Sequence, residues 1–274
     1  MGTVVEIFSY PVKGCAGVSL TRADVTPAGL RHDREFMVTG LDGVFRSQRR
    51  SPRLALIRPE VVGDVLLLRA TGVEEQAIPI HPDGPRRPVT LFSAPFTAVD
   101  QGDAAAGWLS EVLGAPSRLV RVPPDHARVV DGATPGTSGW ADSAAVHLLT
   151  RSSLADLAAR VDEPLPLSRF RPNIVVDDLG APYAEDDLRA VRIGSVGLAF
   201  CKHAIRCAVT LVDQDTGVRA GPEPLRALAA YRRHPDGGVA FGTKFSVVAP
   251  GALAVGDVVS RTCREAPPAG SASR

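Results

Sequence analysis

No apolar run in this 274-residue chain reaches bilayer-spanning length, so no membrane-crossing helix is expected. The N-terminus lacks a basic segment followed by an apolar one, and no secretory signal is expected either. Cysteine is scarce. Cys15, Cys201, Cys207 and Cys263 are too few for a disulfide scaffold in a chain this size. Cys201 and Cys207 are spaced for neither a CxxC redox motif nor a zinc knuckle. No cysteine-rich cluster suggests an iron–sulfur centre, and the residues after 264 leave no room for an appended ferredoxin domain. No glycine-rich fingerprint follows a strand, which argues against direct use of a nicotinamide dinucleotide. Charge of one sign is also lacking. With 31 basic and 30 acidic residues the formal net charge is +1, which argues against nucleic acid or another polyanion as the main partner. A reducing cytoplasm is the expected location.

Apolar bulk and turn signals are what the chain does have. Hydrophobic residues make up 45% of it, enough for one large domain or two moderate ones. Residues 3–9 alternate and read as a first strand, stopped by Tyr10-Pro11. Short strand-like runs follow at 19–26, 35–39, 44–48, 55–61 and 64–70, parted by turns such as Leu41-Asp-Gly43. Further strands fill 77–101, interrupted by Pro79, Pro82, Pro85 and Pro88. Closely spaced strands of this kind predict an antiparallel barrel or sandwich. Trp108, Leu109, Val112 and Leu113 share one helical face, with Gly114 placed as the C-cap. Residues 123–142 are rich in Pro, Gly, Asp and Thr and read as a long loop, a candidate lid. Val146–Thr150 reads as a strand. A helix over 153–161 follows, with Ser152 or Ser153 as N-cap and Asp156 completing a capping-box pattern. In Arg169-Phe-Arg171-Pro-Asn173, Pro172 predicts an extended Arg171 ahead of another strand. A hairpin turning at Gly194-Ser195, a proline-initiated helix from Gly221 to Tyr231, and strands over 239–248 and 254–260 complete the reading. The fold class is α+β and β-rich.

One stretch gathers the chemistry. Cys201-Lys-His-Ala-Ile-Arg-Cys207 leads into the apolar run Ala208–Val212 and then the turn Asp213-Gln-Asp-Thr-Gly217. The apolar run reads as a buried strand, so that Cys207 stands where a loop enters it, beside Arg206. Two readings stand. Free cysteine usually behaves as a small buried hydrophobe. Beside fixed positive charge its thiol ionises more easily, and the thiolate attacks electrophiles or binds metal. On residue type alone Lys13 is a solvated loop lysine, Arg34 a salt-bridged turn residue, and Asp213 a turn former. Arg171-Pro-Asn173 is equally a rigid turn or a device that aims two side chains into a site. The hydroxyls of Thr150, Ser152 and Ser153 cap a helix or make an anion site at its N-terminus. The most basic stretch, Phe45-Arg-Ser-Gln-Arg-Arg-Ser-Pro-Arg53, is a solvated face, the wall of a cofactor pocket, or a docking patch for an acidic protein.

Arg206-Cys207, the β-branched run and Val-Asp213-x-Asp-Thr-Gly217 together resemble the MOSC domain, named from the C-terminal domain of molybdenum cofactor sulfurases. Ser9-Tyr-Pro-Val-Lys13-Gly-Cys15 and Gly29-Leu-Arg-His-Asp-Arg34-Glu-Phe resemble the N-terminal β-barrel domain that precedes it in one branch. That branch holds the mitochondrial amidoxime-reducing component and its bacterial relatives. Arg169-Phe-Arg171-Pro-Asn173-Ile, Phe241-Gly-Thr-Lys-Phe and Val255-Gly-Asp257-Val resemble the rest of the MOSC domain, in the family's order and over nearly the whole chain.

The Pro-, Gly- and Ser-rich residues 265–274 read as a disordered tail. The resemblance implies an N-terminal MOSC β-barrel domain over 1–100 and a mixed-barrel MOSC domain with a few flanking helices over 101–264. It implies a molybdenum–molybdopterin cofactor with Cys207 as metal ligand and catalytic residue. Lys13, Gly14, Arg34, Thr150, Ser152, Ser153, Arg171, Asn173 and Arg206 would surround the pterin and its phosphate. Ile205 and Gly14 stand where relatives often carry serine. The implied activity is reduction of N-hydroxylated compounds (amidoximes, hydroxylamines, N-oxides) by oxygen removal at the cysteine-ligated metal. Electrons would come from an external one-electron donor protein. A persulfide carrier acting through Cys207 and a non-catalytic cofactor-binding protein are the alternatives.

Overall fold

The computed structural model describes residues 1–262, so Cys263 and the tail expected over 265–274 lie outside the described residues. Seven strands close on themselves. Around the barrel they run Gly2–Ser9, Ile174–Asp177, Val146–Thr150, Val239–Ala249, Val196–Arg206, Ala190–Ile193 and Val258–Arg261, and the last pairs back to Gly2–Ser9. Val146–Thr150 and Ile174–Asp177 are parallel, and the other neighbours are antiparallel. Closure leaves no unpaired barrel edge. The inward side chains, among them Val4, Ile7, Leu148, Ile174, Val191, Leu198, Phe245 and Val259, form one buried core.

A second core lies between a five-stranded sheet and a three-stranded meander. The sheet orders Arg86–Leu91, Ala94–Asp100, Arg118–Arg121, Phe36–Thr39 and Val12–Lys13, and the meander is Arg58–Val62, Val65–Ala70 and Val73–Pro79. Helix α1, Asp103–Leu113, closes it, packing Trp108, Leu109 and Val112 against Phe36, Leu54, Leu66 and Leu119. Buried Asp100 ties the sheet together. It accepts hydrogen bonds from Arg87 (3.0 Å), Arg118 Nε (2.9 Å) and the backbone N–H of Gly102 (2.8 Å), just ahead of α1. The β-rich class and the closed barrel agree with the sequence reading. So do α1 with its left-handed Gly114 cap (φ 65°) and the hairpin turning at Gly194-Ser195.

The differences have local causes. The run 208–212 is no strand. Ala208–Leu211 form a 3₁₀ turn closed by Thr210, whose N–H and hydroxyl both donate to the Cys207 carbonyl (3.0 Å each). A short apolar run cannot be told from a buried turn by periodicity. The strand therefore precedes Cys207 and ends at Arg206. Residues 44–48 contribute only isolated bridges at Val44 and Phe45. Residues 52–56 are a 3₁₀ turn rather than the start of a strand. The run 19–26 is two strands, Val18–Leu20 and Arg22–Thr26. Pro88 sits inside a strand, which is tolerated because Arg86–Leu91 is the edge of its sheet. Helix α2 is Arg151–Ala158, capped by Thr150 accepting from the Ser153 N–H (3.2 Å), while Asp156 pairs with Arg160 instead of reaching back. Helix α3, Leu225–Tyr231, begins later than the proline signal suggested.

Candidate functional site

A cavity of about 290 Å³ opens between the barrel and the five-stranded sheet, lined from Lys13 to Lys244. Cys207 stands on its wall. Cys15 and Cys201 are buried, so Cys207 is the one cysteine among the described residues that is partly open to solvent. Burial in the second core pushes the Cys15 thiol up to about 12. Five arginines (Arg34, Arg46, Arg49, Arg171, Arg206) and two lysines (Lys13, Lys244) line the same space against a single carboxylate, Asp142. A cavity with that imbalance favours an anionic ligand.

Lys13 ends the strand Val12–Lys13, which runs parallel to Phe36–Thr39. It is buried, not solvated. Its ammonium donates to the Trp140 carbonyl (2.7 Å), is paired with Asp142, and lies 5.4 and 5.1 Å from the Phe45 and Phe92 rings. Desolvation lowers its pKa despite Asp142. Desolvation acts to raise Asp142, but the charges of Lys13 and Lys244 outweigh it and hold the carboxyl well below the usual range. Gly14 follows in the left-handed region (φ 84°), and its carbonyl accepts from Gln48 Nε2 (2.6 Å).

Asp33 organises the next group. Its Oδ1 accepts from the Tyr10 N–H (2.9 Å), Asn173 Nδ2 (2.9 Å) and Arg34 Nη1 (2.7 Å). The guanidinium carbons of Arg34 and Arg171 lie 4.2 and 4.3 Å from the Tyr10 ring centroid. Burial lifts the Tyr10 hydroxyl to about 12, and it donates to the Pro172 carbonyl (3.0 Å). Arg171 is not extended as its place before Pro172 suggested. It takes φ 55°, and its carbonyl accepts from Arg34 Nη2 (3.2 Å). Burial, then the like charge of Arg34, lowers the Arg171 pKa to about 10, which leaves it cationic near neutrality. Arg206 Nη2 donates to the Phe170 carbonyl (2.8 Å).

Four buried polar atoms of the lining have no protein hydrogen-bond partner: Arg171 Nη2, Arg206 Nε, Arg46 Nε and His147 Nε2. The three arginine atoms are donors, and buried donors are seldom left unmet. Those donors suit a ligand rich in acceptor oxygens.

Lys13, Gly14, Arg34, Arg171, Asn173, Arg206 and Cys207 all come together on this cavity. Thr150, Ser152 and Ser153 do not line it. The hydroxyls of Thr150 (2.9 Å) and Ser153 (2.8 Å) donate to the fully buried Glu185 carboxylate. Asn173 reaches the cavity, but its amide donates to the Phe8 carbonyl (3.1 Å) and Asp33, and its oxygen accepts from the His147 N–H (3.1 Å). The basic stretch is a cavity wall along Phe45–Arg49. The segment 123–142 carries a short hairpin, Val129–Val130 paired with Gly136–Thr137, and is anchored toward its C-terminal end. Trp140 is fully buried, and Arg128 donates to the carbonyls of Gly139 (2.9 Å) and Asp142 (3.0 Å). Sequence reasoning missed Asp142, Ser143, His147, Phe92 and Lys244. Only Lys244 carried a signal, lying inside the quoted Phe-Gly-Thr-Lys-Phe motif.

Comparison with known proteins agrees with this layout. The MOSC N-terminal beta barrel domain matches residues 1–116, and the MOSC domain matches residues 135–260. The mitochondrial amidoxime-reducing component 1 of Mus musculus is 34% identical over 280 residues, covering 94% of this chain and 82% of that protein. Its Homo sapiens counterpart is 33% identical with the same coverage. The molybdenum cofactor sulfurase of Danio rerio is 31% identical over 88% of this chain and 31% of its own length. The chain belongs to the MOSC family, in the form that carries the N-terminal β-barrel domain.

Proposed function

We propose that this chain is a molybdenum-cofactor-dependent reductase of N-hydroxylated compounds, with Cys207 as the metal-ligating thiolate. The observation that carries the reading is the company Cys207 keeps. The one partly open cysteine among the described residues shares a cavity with seven cations and one carboxylate. A thiolate suits a soft metal site. The unmet donors of Arg171 and Arg206 fit the phosphate and ring acceptors of a pterin cofactor. When bound, that cofactor supplies the two-electron removal of oxygen from nitrogen.

The chain's own residues bind, orient and shield. Arg206, fixed to the Phe170 carbonyl, sets a positive charge next to Cys207 on the cavity wall. Lys13, Arg34 and Arg171 hold anionic oxygen. Phe45, Phe92 and Phe170 add apolar surface to the cavity, strengthening charge interactions within it. A separate one-electron donor protein completes the reaction.

The test is cofactor content. Expressed in a host that makes molybdenum cofactor, the parent is expected to carry near-stoichiometric molybdenum by mass spectrometry, with pterin seen by fluorescence after oxidation. Cys207→Ala is expected to lose most of the metal. The parent is then expected to reduce an amidoxime with reduced viologen as donor. A folded parent without molybdenum would sink this reading. Cys207 would then be assigned persulfide transfer, in line with the sulfurase relative.

A further inference from the structure

Of the 31 lysines and arginines in the chain, three are lysines: Lys13, Lys202 and Lys244. Two of the three line the cavity. The distinction is chemical. A guanidinium holds charge but keeps its protons at any ordinary pH, whereas an ammonium can give one up. Lys202 lies outside the cavity, paired with exposed Asp131 (2.9 Å). Lys13 is committed to the Trp140 carbonyl and Asp142. Lys244 has one protein hydrogen-bond partner, Ser143 Oγ at 2.6 Å, so its other N–H groups remain free.

Its surroundings favour proton exchange. Lys244 stands on the barrel strand Val239–Ala249, opposite His147 on one side and Lys202 on the other. Desolvation lowers its pKa to about 8; Asp142 opposes that shift, and the charges of Arg206, Arg34 and Lys13 add to it. His147 is a poor rival. Burial and the charge of Arg206 hold its pKa well below the usual histidine value, so it stays neutral. Ser143, the partner of Lys244, is half-buried and follows exposed Asp142 in the chain.

We propose that Lys244 is the proton donor to the oxygen removed from the substrate and that Ser143 reloads it from solvent. The proposal rests on the reductase reading. In the overall reaction an N-hydroxyl compound takes two electrons and two protons and yields the N–H compound and water. The N–O bond breaks, and the electrons come from the external donor. Lys244 supplies one proton to the departing oxygen, and water supplies the other. Lys244 then regains its proton through the Ser143 hydroxyl.

The test uses the full chain loaded with cofactor, with an amidoxime as substrate and reduced viologen as donor. The parent kcat is expected to fall as pH rises through the point where Lys244 loses its proton, which is about 8 in the cofactor-free protein and higher beside an anionic cofactor. Lys244→Arg keeps the charge and is expected to keep molybdenum and pterin content. It should lose about 100-fold or more in kcat, together with that alkaline limb. Lys244→Ala should regain part of its kcat on addition of methylamine, which a purely structural lysine would not allow. A second readout needs no turnover. Competitive acetylation of the cofactor-free protein across pH, resolved by mass spectrometry, should show Lys244 titrating near 8, below the ordinary lysine range. A parent that turns over while Lys244→Arg matches its kcat and pH limb overturns this inference alone. So does Lys244 titrating in the ordinary lysine range. A parent without molybdenum or turnover overturns the reductase reading and this inference with it. Should Lys244→Arg fail to fold, amine rescue of Lys244→Ala and the acetylation profile decide.

Discussion

Asn173 shows how a residue can border a site and yet be committed to the scaffold. The family resemblance implies a pterin contact for it. Its amide instead satisfies the Phe8 carbonyl, Asp33 and the His147 N–H at once. Asn173→Ala is expected to destabilise the fold by about 2–3 kcal/mol, because it strands buried polar partners. Denaturant unfolding of the cofactor-free protein measures this, and an unchanged midpoint would return Asn173 to the role of a ligand contact. Arg171 shows the reverse. A left-handed backbone at a non-glycine residue costs about 1–3 kcal/mol and persists where the surroundings over-determine it. Its carbonyl is held by Arg34, and its own buried Nη2 has no protein partner, so the strain is spent on presenting a donor.

Secondary-structure elements aim the walls of the cavity. The hairpin joining Arg86–Leu91 to Ala94–Asp100 turns on Phe92 (φ 51°) and Ser93 (φ 68°), positions where asparagine and glycine are the easy choices. Phe92 stays 45% exposed there, packs edge-on to Phe45 (5.0 Å) and lines the cavity. Ser93→Gly is expected to stabilise the protein by roughly 0.5–1 kcal/mol, since glycine adopts this conformation freely. Calorimetry reads it, and a lower melting temperature would show that the turn is unstrained. At the other end of the hairpin Asp100 binds two arginines and a backbone N–H. Desolvation acts to raise its pKa, but those hydrogen bonds outweigh it and leave the value depressed. A depressed carboxylate contributes stability that is present above the unfolded value of 3.8 and lost as pH falls through the native one. Asp100→Asn should therefore cost about 3 kcal/mol at neutral pH, with the gap to the parent closing on acidification below pH 4. Urea midpoints across pH would reveal it, and a gap that stayed constant would refute the charge assignment.

At the scale of the whole molecule, the first strand closes the barrel of C-terminal strands. Gly2–Ser9 pairs with Ile174–Asp177, Val258–Arg261 and Val18–Leu20. Removing residues 1–9 is expected to open the barrel along two edges and abolish the cooperative thermal transition of the remainder. A deletion protein that still melts sharply would show that the barrel survives without its N-terminal strand. The charge balance is also a whole-molecule property. A chain with a net charge of +1 collects seven cations around one cavity.

The sequence by itself determined what short-range physics controls. The apolar face of α1, its Gly114 cap and the Gly194-Ser195 turn depend on neighbours within a few residues, and all were legible. Cys207 beside Arg206 was legible for the same reason. Tertiary structure decided the rest. Lys13, Arg34, Arg171, Arg206 and Lys244 are scattered along the chain and meet only because barrel closure and sheet packing bring their strands and turns to one cavity. The hydroxyls of Thr150 and Ser153 read equally as a cap or an anion site, and buried Glu185, more than thirty residues on, took them. The run 208–212 turned back because Thr210 closes onto the Cys207 carbonyl where the barrel strand ends, and no periodicity records where a strand runs out of partners.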